Sequence, residues 1–151
     1  MADRITQEEI TQGIPDEFRA YFQINATPLP RSMQGIVEAF WTAVEVIGPS
    51  VWFSQPAHVI FGTAPWKISV SRGKLEYTPS HPDMINVHFE EWVFLDCNRM
   101  KDLPMEFQVV CILEELVRAL MHVTNKKLVP EIVVRLYPKV RMVEGKYAQA
   151  E

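Results

Sequence analysis

The chain opens with polar residues broken by single apolar positions and reaches its first sustained helical pattern at Met33. Between Met33 and Ile47, the residues Met33, Ile36, Val37, Phe40, Val44 and Ile47 fall on one side of a helix, with Glu38, Thr42 and Glu45 opposite. That period predicts an amphipathic helix, with Ser32 as its N-cap and Gly48-Pro49 as its stop. Upstream, Thr6 and Glu9 have the spacing of a capping box, and Pro15 suits the start of a second short helix over DEFRAYFQI. Two prolines between Asn25 and Pro30 predict a linker, so residues 1–30 read as a helical arm and linker at the edge of the main body.

After Gly48 the period shortens. HVIFG from His58, WKISVS from Trp66, KLEYT from Lys74 and MINVHF from Met84 are rich in β-branched and aromatic residues. Ile68 and Val70 alternate with Lys67, Ser69 and Ser71, and after Arg72-Gly73 the alternation resumes at Leu75 and Tyr77, which predicts a hairpin. His81-Pro82-Asp83 punctuates, and Phe89 to Met100 fits either a strand or a short helix. A long helical pattern runs from Leu103-Pro104 to about Val123, and a shorter one from near Pro130 to before Pro138. From Arg141 the apolar positions are sparse and a frayed tail is expected over residues 141–151. Strands gathered between helices predict an α+β fold over residues 31–140, with a small, mostly antiparallel sheet covered by the Met33 helix and the long helix.

At about 100° per residue, the long helix is lopsided. Val109, Val110, Ile112, Leu113, Leu116, Val117, Ala119, Leu120, Met121 and Val123 cover most of its circumference, which makes it central to the fold. Glu114, Glu115, Arg118, His122 and Gln108 share the rest with Phe107 and Cys111. Glu114 with Arg118, and Glu115 with Arg118, have the spacing of helical ion pairs, so this stripe is either a solvated face or an internal polar site in a cleft.

The string Ile112-Leu113-Glu114-Glu115-Leu116-Val117-Arg118-Ala119-Leu120-Met121 resembles the active-site helix of zincin-like metallopeptidases, whose HExxH motif often reads HELVHAL within an apolar helix. The order of elements is similar too: a covering helix, a few strands with a hairpin, then the motif helix. The resemblance implies that Glu115 stands at the position of the catalytic base. Both histidines are replaced, the first by Glu114 and the second by Arg118. In the motif, two neutral imidazoles at i and i+4 close on one zinc ion, and the glutamate activates its water. A carboxylate at Glu114 could ligate a metal, but a guanidinium stays protonated and offers only donors. Arg118 therefore reads as an internal cation in place of the metal, paired with Glu114 and Glu115.

No nearby set restores the site. His122 stands one turn beyond Arg118 and Glu131 follows, but Glu114 and His122 lie about 12 Å apart along a straight helix, too far to share one zinc at bonds of about 2 Å. Glu115 and His122, about 10 Å apart, fail for the same reason. No cofactor is expected, zinc being the only one the motif would bring. His58, His81 and His88 are dispersed without metal-ligand spacing and read as hydrogen-bonded or exposed residues. GxSxG, P-loop and dinucleotide signatures do not occur. Cys97 and Cys111 read as reduced core thiols, with Cys111 the better placed of the two for chemistry, near Arg118. Trp41, Trp52, Trp66 and Trp92 read as packing residues, with an aromatic-lined groove conceivable near Trp52-Phe53 and Trp66.

Composition narrows the classes. The chain has 151 residues, 48% of them hydrophobic and 23% charged, enough for one domain with a true core. Its net charge of −4 gives no basic footprint for nucleic acid. No apolar run reaches the roughly 18 residues of a membrane span, and MADRITQEEI is too polar for a signal peptide, so a cytoplasmic protein with neither membrane nor nucleic-acid partners is expected. Three functional readings stay open: a metal-free zincin-like domain serving as a binding or regulatory module for a protein or peptide, an active metallopeptidase with atypical ligands, and an unrelated α+β interaction domain.

Overall fold

The computed structural model describes residues 3–26, 28–63, 66–70, 73–77 and 86–150. Arg4–Ile5 (β1) leads into helix Gln7–Gly13 (α1), whose first turn is capped as the sequence predicts: Thr6 Oγ1 accepts the Glu9 amide at 3.2 Å. At its other end the guanidinium of Arg19 donates to the carbonyls of Thr11, Gln12 and Ile14, groups a helix C-terminus leaves open.

The expected second helix from Pro15 does not form. A turn and a 3₁₀ segment at Arg19–Tyr21 pass into strand Phe22–Ala26 (β2), where Phe22 and Ile24 point inward and Gln23 outward. Nor is the stretch to Pro30 a plain linker, because Leu29–Pro30 (β3) pairs antiparallel with β1. The arm is part of the body: β2 is a strand of the main sheet, and Trp41 Nε1 donates to the Ile10 carbonyl at 2.8 Å, tying the next helix to α1. Gly13 permits that contact, since a Cβ there would fall inside the Trp41 indole.

Helix Gln34–Ile47 (α2) follows a 3₁₀ turn over Arg31–Met33, so Met33 rather than Ser32 takes the N-cap position. Strand Ala57–Gly62 (β4) pairs in parallel with β2, as a helical crossover between them allows. Strands Trp66–Val70 (β5) and Gly73–Tyr77 (β6) form the predicted hairpin, Ile68 opposite Leu75, while Arg72 of its turn lies outside the described residues. Of the MINVHF run, Val87–Phe89 (β7) is strand, and Met84 and Ile85 lie outside the described residues. The ambiguous stretch contains both alternatives: strand Trp92–Asp96 (β8), then helix Cys97–Met100 (α3), with Asp96 accepting the Arg99 amide.

The sheet order is β2-β4-β8-β7. The α+β class holds, but this sheet is mixed and not mostly antiparallel: β4 runs parallel to both β2 and β8, and only the β7–β8 pair is antiparallel. Local alternation cannot reveal strand direction, which depends on the crossovers. Phe22, Ile24, Val59, Phe61, Val93 and Leu95 form the core face, with α2 and helix Met105–Met121 (α4) packed on it and against each other. Phe40 of α2 meets Phe22 and Phe61 edge to face, at centroid distances of 5.9 and 5.2 Å.

Helix Leu128–Leu136 (α5) starts two residues before Pro130, behind Asn125 Oδ1, which accepts the amides of Lys127 and Leu128. The last residues are not frayed. Val140–Val143 (β9) and Lys146–Gln149 (β10) make an antiparallel hairpin around Glu144-Gly145, both at positive φ, the two-residue turn whose twist suits paired strands. Among the described residues no helix is long and apolar enough to cross a membrane.

Candidate functional site

Nine positions of α4 from Gln108 to Ala119 are buried, among them Val109, Ile112, Leu113, Leu116 and Val117, and one residue of the polar stripe, Glu115, is buried with them. On it Arg118 bridges two carboxylates: Nη1 lies 3.0 Å from Glu115 Oε1 and Nη2 3.7 Å from Glu114 Oε2. The stripe is not a solvated face. Glu115 is buried, with a side chain only 8% exposed, and the side chains of Glu114 and Arg118 are about three-quarters covered.

Against the Cys111 and Glu114 part of the stripe lies the C-terminal hairpin. Tyr147 of β10 lies over that part, its hydroxyl buried without a hydrogen-bond partner among the described residues, and an apolar cavity of about 590 Å³ opens between hairpin and helix. Leu103, Phe107, Val110, Cys111, Glu114 and Tyr147 line it. The low-dielectric setting leaves its mark on Glu114, Cys111 and Tyr147. Burial pushes the Glu114 carboxyl above its usual range, with Arg118 pulling it down and Glu115 pushing it up. The Cys111 thiol is pushed up to about 12 by burial and by the adjacent carboxylates of Glu114 and Glu115. Burial and the charge of Glu114 raise Tyr147 in the same way, against the pull of Arg118. Cys97, buried beside Asp96, is pushed up to about 12 as well. Neither thiol is set up as a nucleophile, since the thiolate is the reactive form.

Of the residues singled out by sequence, Glu114, Glu115, Arg118 and Cys111 come together and His122 does not. The wheel places His122 one turn past Arg118, but α4 ends at Met121, and His122 takes the left-handed conformation at φ 57° that closes the helix. Its side chain joins a separate groove with Val51, Trp52, Phe53 and Glu91. Val123 likewise lies beyond the helix. Gln108 leaves the stripe as well, donating from Nε2 to the Met100 carbonyl at 2.9 Å. Glu131 is exposed on the first turn of α5. His58 stacks on Trp92 at 4.1 Å, His88 is opposite Val93 in the sheet, and His81 lies outside the described residues. Among the described residues no three His, Cys, Asp or Glu side chains are grouped as a metal site.

Sequence reasoning missed two contributors. Tyr147 sits in a stretch with few apolar neighbours, and its partners Glu114 and Cys111 are more than thirty residues upstream, so no local signal marks it. Asn86 holds the base of the site: its Oδ1 accepts the Asp96 amide at 2.8 Å, and its Nδ2 donates to the Cys111 carbonyl at 3.4 Å. Comparison with known protein families, with curated proteins and with solved structures finds no match to this chain.

Proposed function

We propose that this chain is a zincin-like domain that works without a metal, as a cytoplasmic binding or regulatory module for a protein or peptide. The observation that carries the reading is Arg118, whose guanidinium lies within ion-pair distance of Glu115 and Glu114. At the position of the motif's second histidine stands a permanent cation that offers donors only. A zinc ion held by Glu114 would sit beside that charge, and Glu115 would have to leave Arg118 to act on a bound water. The residues present do not fit the metal, and no peptidase step follows from them. A long, mostly apolar helix packed against a small mixed sheet supports the zincin-like frame, and the two free thiols suit a reducing compartment.

The test restores the motif. E114H/R118H places two imidazoles at i and i+4 with Glu115 between them. Calorimetry with zinc should show binding by the double variant and none by the parent, which should also lack chelator-sensitive peptidase activity. Stoichiometric zinc on the dialysed parent would overturn the reading in favour of a metallopeptidase with atypical ligands. Equal, absent binding by both proteins would mean that α4 only imitates the motif, leaving an unrelated α+β interaction domain.

A further inference from the structure

The segment after α2 displays one tryptophan almost completely. Val51 is extended, at φ −111° and ψ 137°, and Val51 and Phe53 both pack against the core. In an extended chain neighbouring side chains point opposite ways, so anchoring Val51 and Phe53 inward aims Trp52 outward, where it is 91% exposed. The anchor is firm: Phe53 stacks on Tyr21 at 4.6 Å and meets Phe22 at 5.7 Å edge to face. The backbone on either side of Trp52 is thus fixed, and its indole stands in water beside the half-exposed Tyr21, an aromatic surface of the kind that interface anchors use.

Trp52 forms the ridge between two shallow grooves. One, of about 130 Å³, runs towards Leu120, His122 and Glu91; the other, of about 350 Å³, runs towards Phe18, Tyr21 and Glu17. Each has a glutamate among its lining residues, and among the described residues neither is lined by a lysine or arginine. We propose that Trp52 and these two grooves form a docking surface for an extended, proline-containing peptide segment with basic side chains on either side of its prolines. The proposal rests on the reading of the domain as a binding module and names its partner.

Three features select that occupant. A ridge with a groove on each side fits a chain that passes over it, more than a compact ligand in a closed cavity. Proline rings pack on aromatic faces, and a polyproline II segment is already extended, so little entropy is lost on docking. Glu17 and Glu91 complement lysine or arginine, which also stack on an indole. A second copy of this chain fits less well: it carries a net charge of −4 and would bring acidic rims against each other.

The probe is a labelled twelve-residue peptide with a central Pro-x-x-Pro and an arginine at each end, titrated against the full chain and followed by anisotropy. Saturable binding is expected. W52A, whose side chain makes no core contact, should keep the wild-type unfolding transition and lose about tenfold or more in affinity. E17Q/E91Q should lose about threefold to tenfold and flatten the salt dependence. A control peptide with glutamate for arginine should bind at least about tenfold more weakly. Absence of saturable binding, a W52A affinity within twofold of wild type, or equal binding of the control would overturn the proposal. So would self-association that W52A abolishes, which would make a second copy the occupant. Zinc titration of E114H/R118H reads the α4 stripe and not this surface, so failure of the metal-free reading and failure of the docking surface show in different experiments.

Discussion

Arg118 and Glu114 differ in what burial does to them. The guanidinium keeps its charge at any accessible pH, whereas Glu114 can shed the cost of burial by taking up a proton. Burial outweighs the attraction of Arg118, so the carboxyl titrates above the ordinary 4.5. A group whose folded pKa is raised contributes stability that is complete below its unfolded pKa and lost as pH rises through its folded value. Ionised Glu114 therefore weakens the fold at neutral pH relative to acid. E114Q keeps the shape and imitates the neutral form, so at pH 7 it should be at least as stable as wild type in urea unfolding. The advantage should shrink as pH falls towards 4.5. A variant that loses stability at pH 7, and less at pH 4.5, would show that the Arg118 pair outweighs the burial.

On α4 the same helix carries two degrees of burial. Leu116 is completely buried against the core, but Leu120 is only partly covered and lines the groove beside Trp52. Truncating Leu116 to alanine should cost about 2–5 kcal/mol, with L120A well below that range, as measured by denaturant unfolding. Equal costs would mean that the helix is rotated from its described position. The periodicity of α2 and α4 made both helices legible, because a one-sided apolar stripe is written into the local spacing. The β5–β6 hairpin was legible for the same reason, since its pairing is between neighbours in sequence. β2 was not: its five residues follow a 3₁₀ segment, and what makes FQINA a strand is β4, more than thirty residues away. The end of α4 is not written in the periodicity, because His122 adopts a left-handed conformation that the wheel does not represent. The ion-paired part of the site was readable from i,i+3 and i,i+4 spacing, whereas its cover, the hairpin around Tyr147, depends on tertiary placement.

At the scale of the molecule, the two chain ends contribute in different ways. The first thirty residues bring β1, α1, β2 and β3, so they supply a strand of the main sheet and the contact between Ile10 and Trp41. The last eleven bring most of a hairpin laid over the outer stripe of α4, while the buried Tyr137 and Val140 precede them. A chain lacking residues 1–30 should therefore leave the edge of β4 unpaired, uncover the side of Phe40 that Phe22 packs on, and lose cooperative thermal unfolding. A chain lacking residues 141–151 should keep a cooperative transition, because α2, α4 and the four-stranded sheet are intact. It should differ at one thiol. In the full chain burial pushes Cys111 up to about 12, with Glu114 and Glu115 adding to the shift, so little thiolate exists near neutral pH. With Tyr147 and its hairpin gone, water reaches the stripe, the largest of those causes weakens, and Cys111 should react several-fold faster with an aromatic disulfide reagent. Cys97, fully buried beneath the sheet's core face, should stay unreactive in both chains and serves as the internal control. Unchanged Cys111 reactivity in the shortened chain would mean that the hairpin does not shield the stripe.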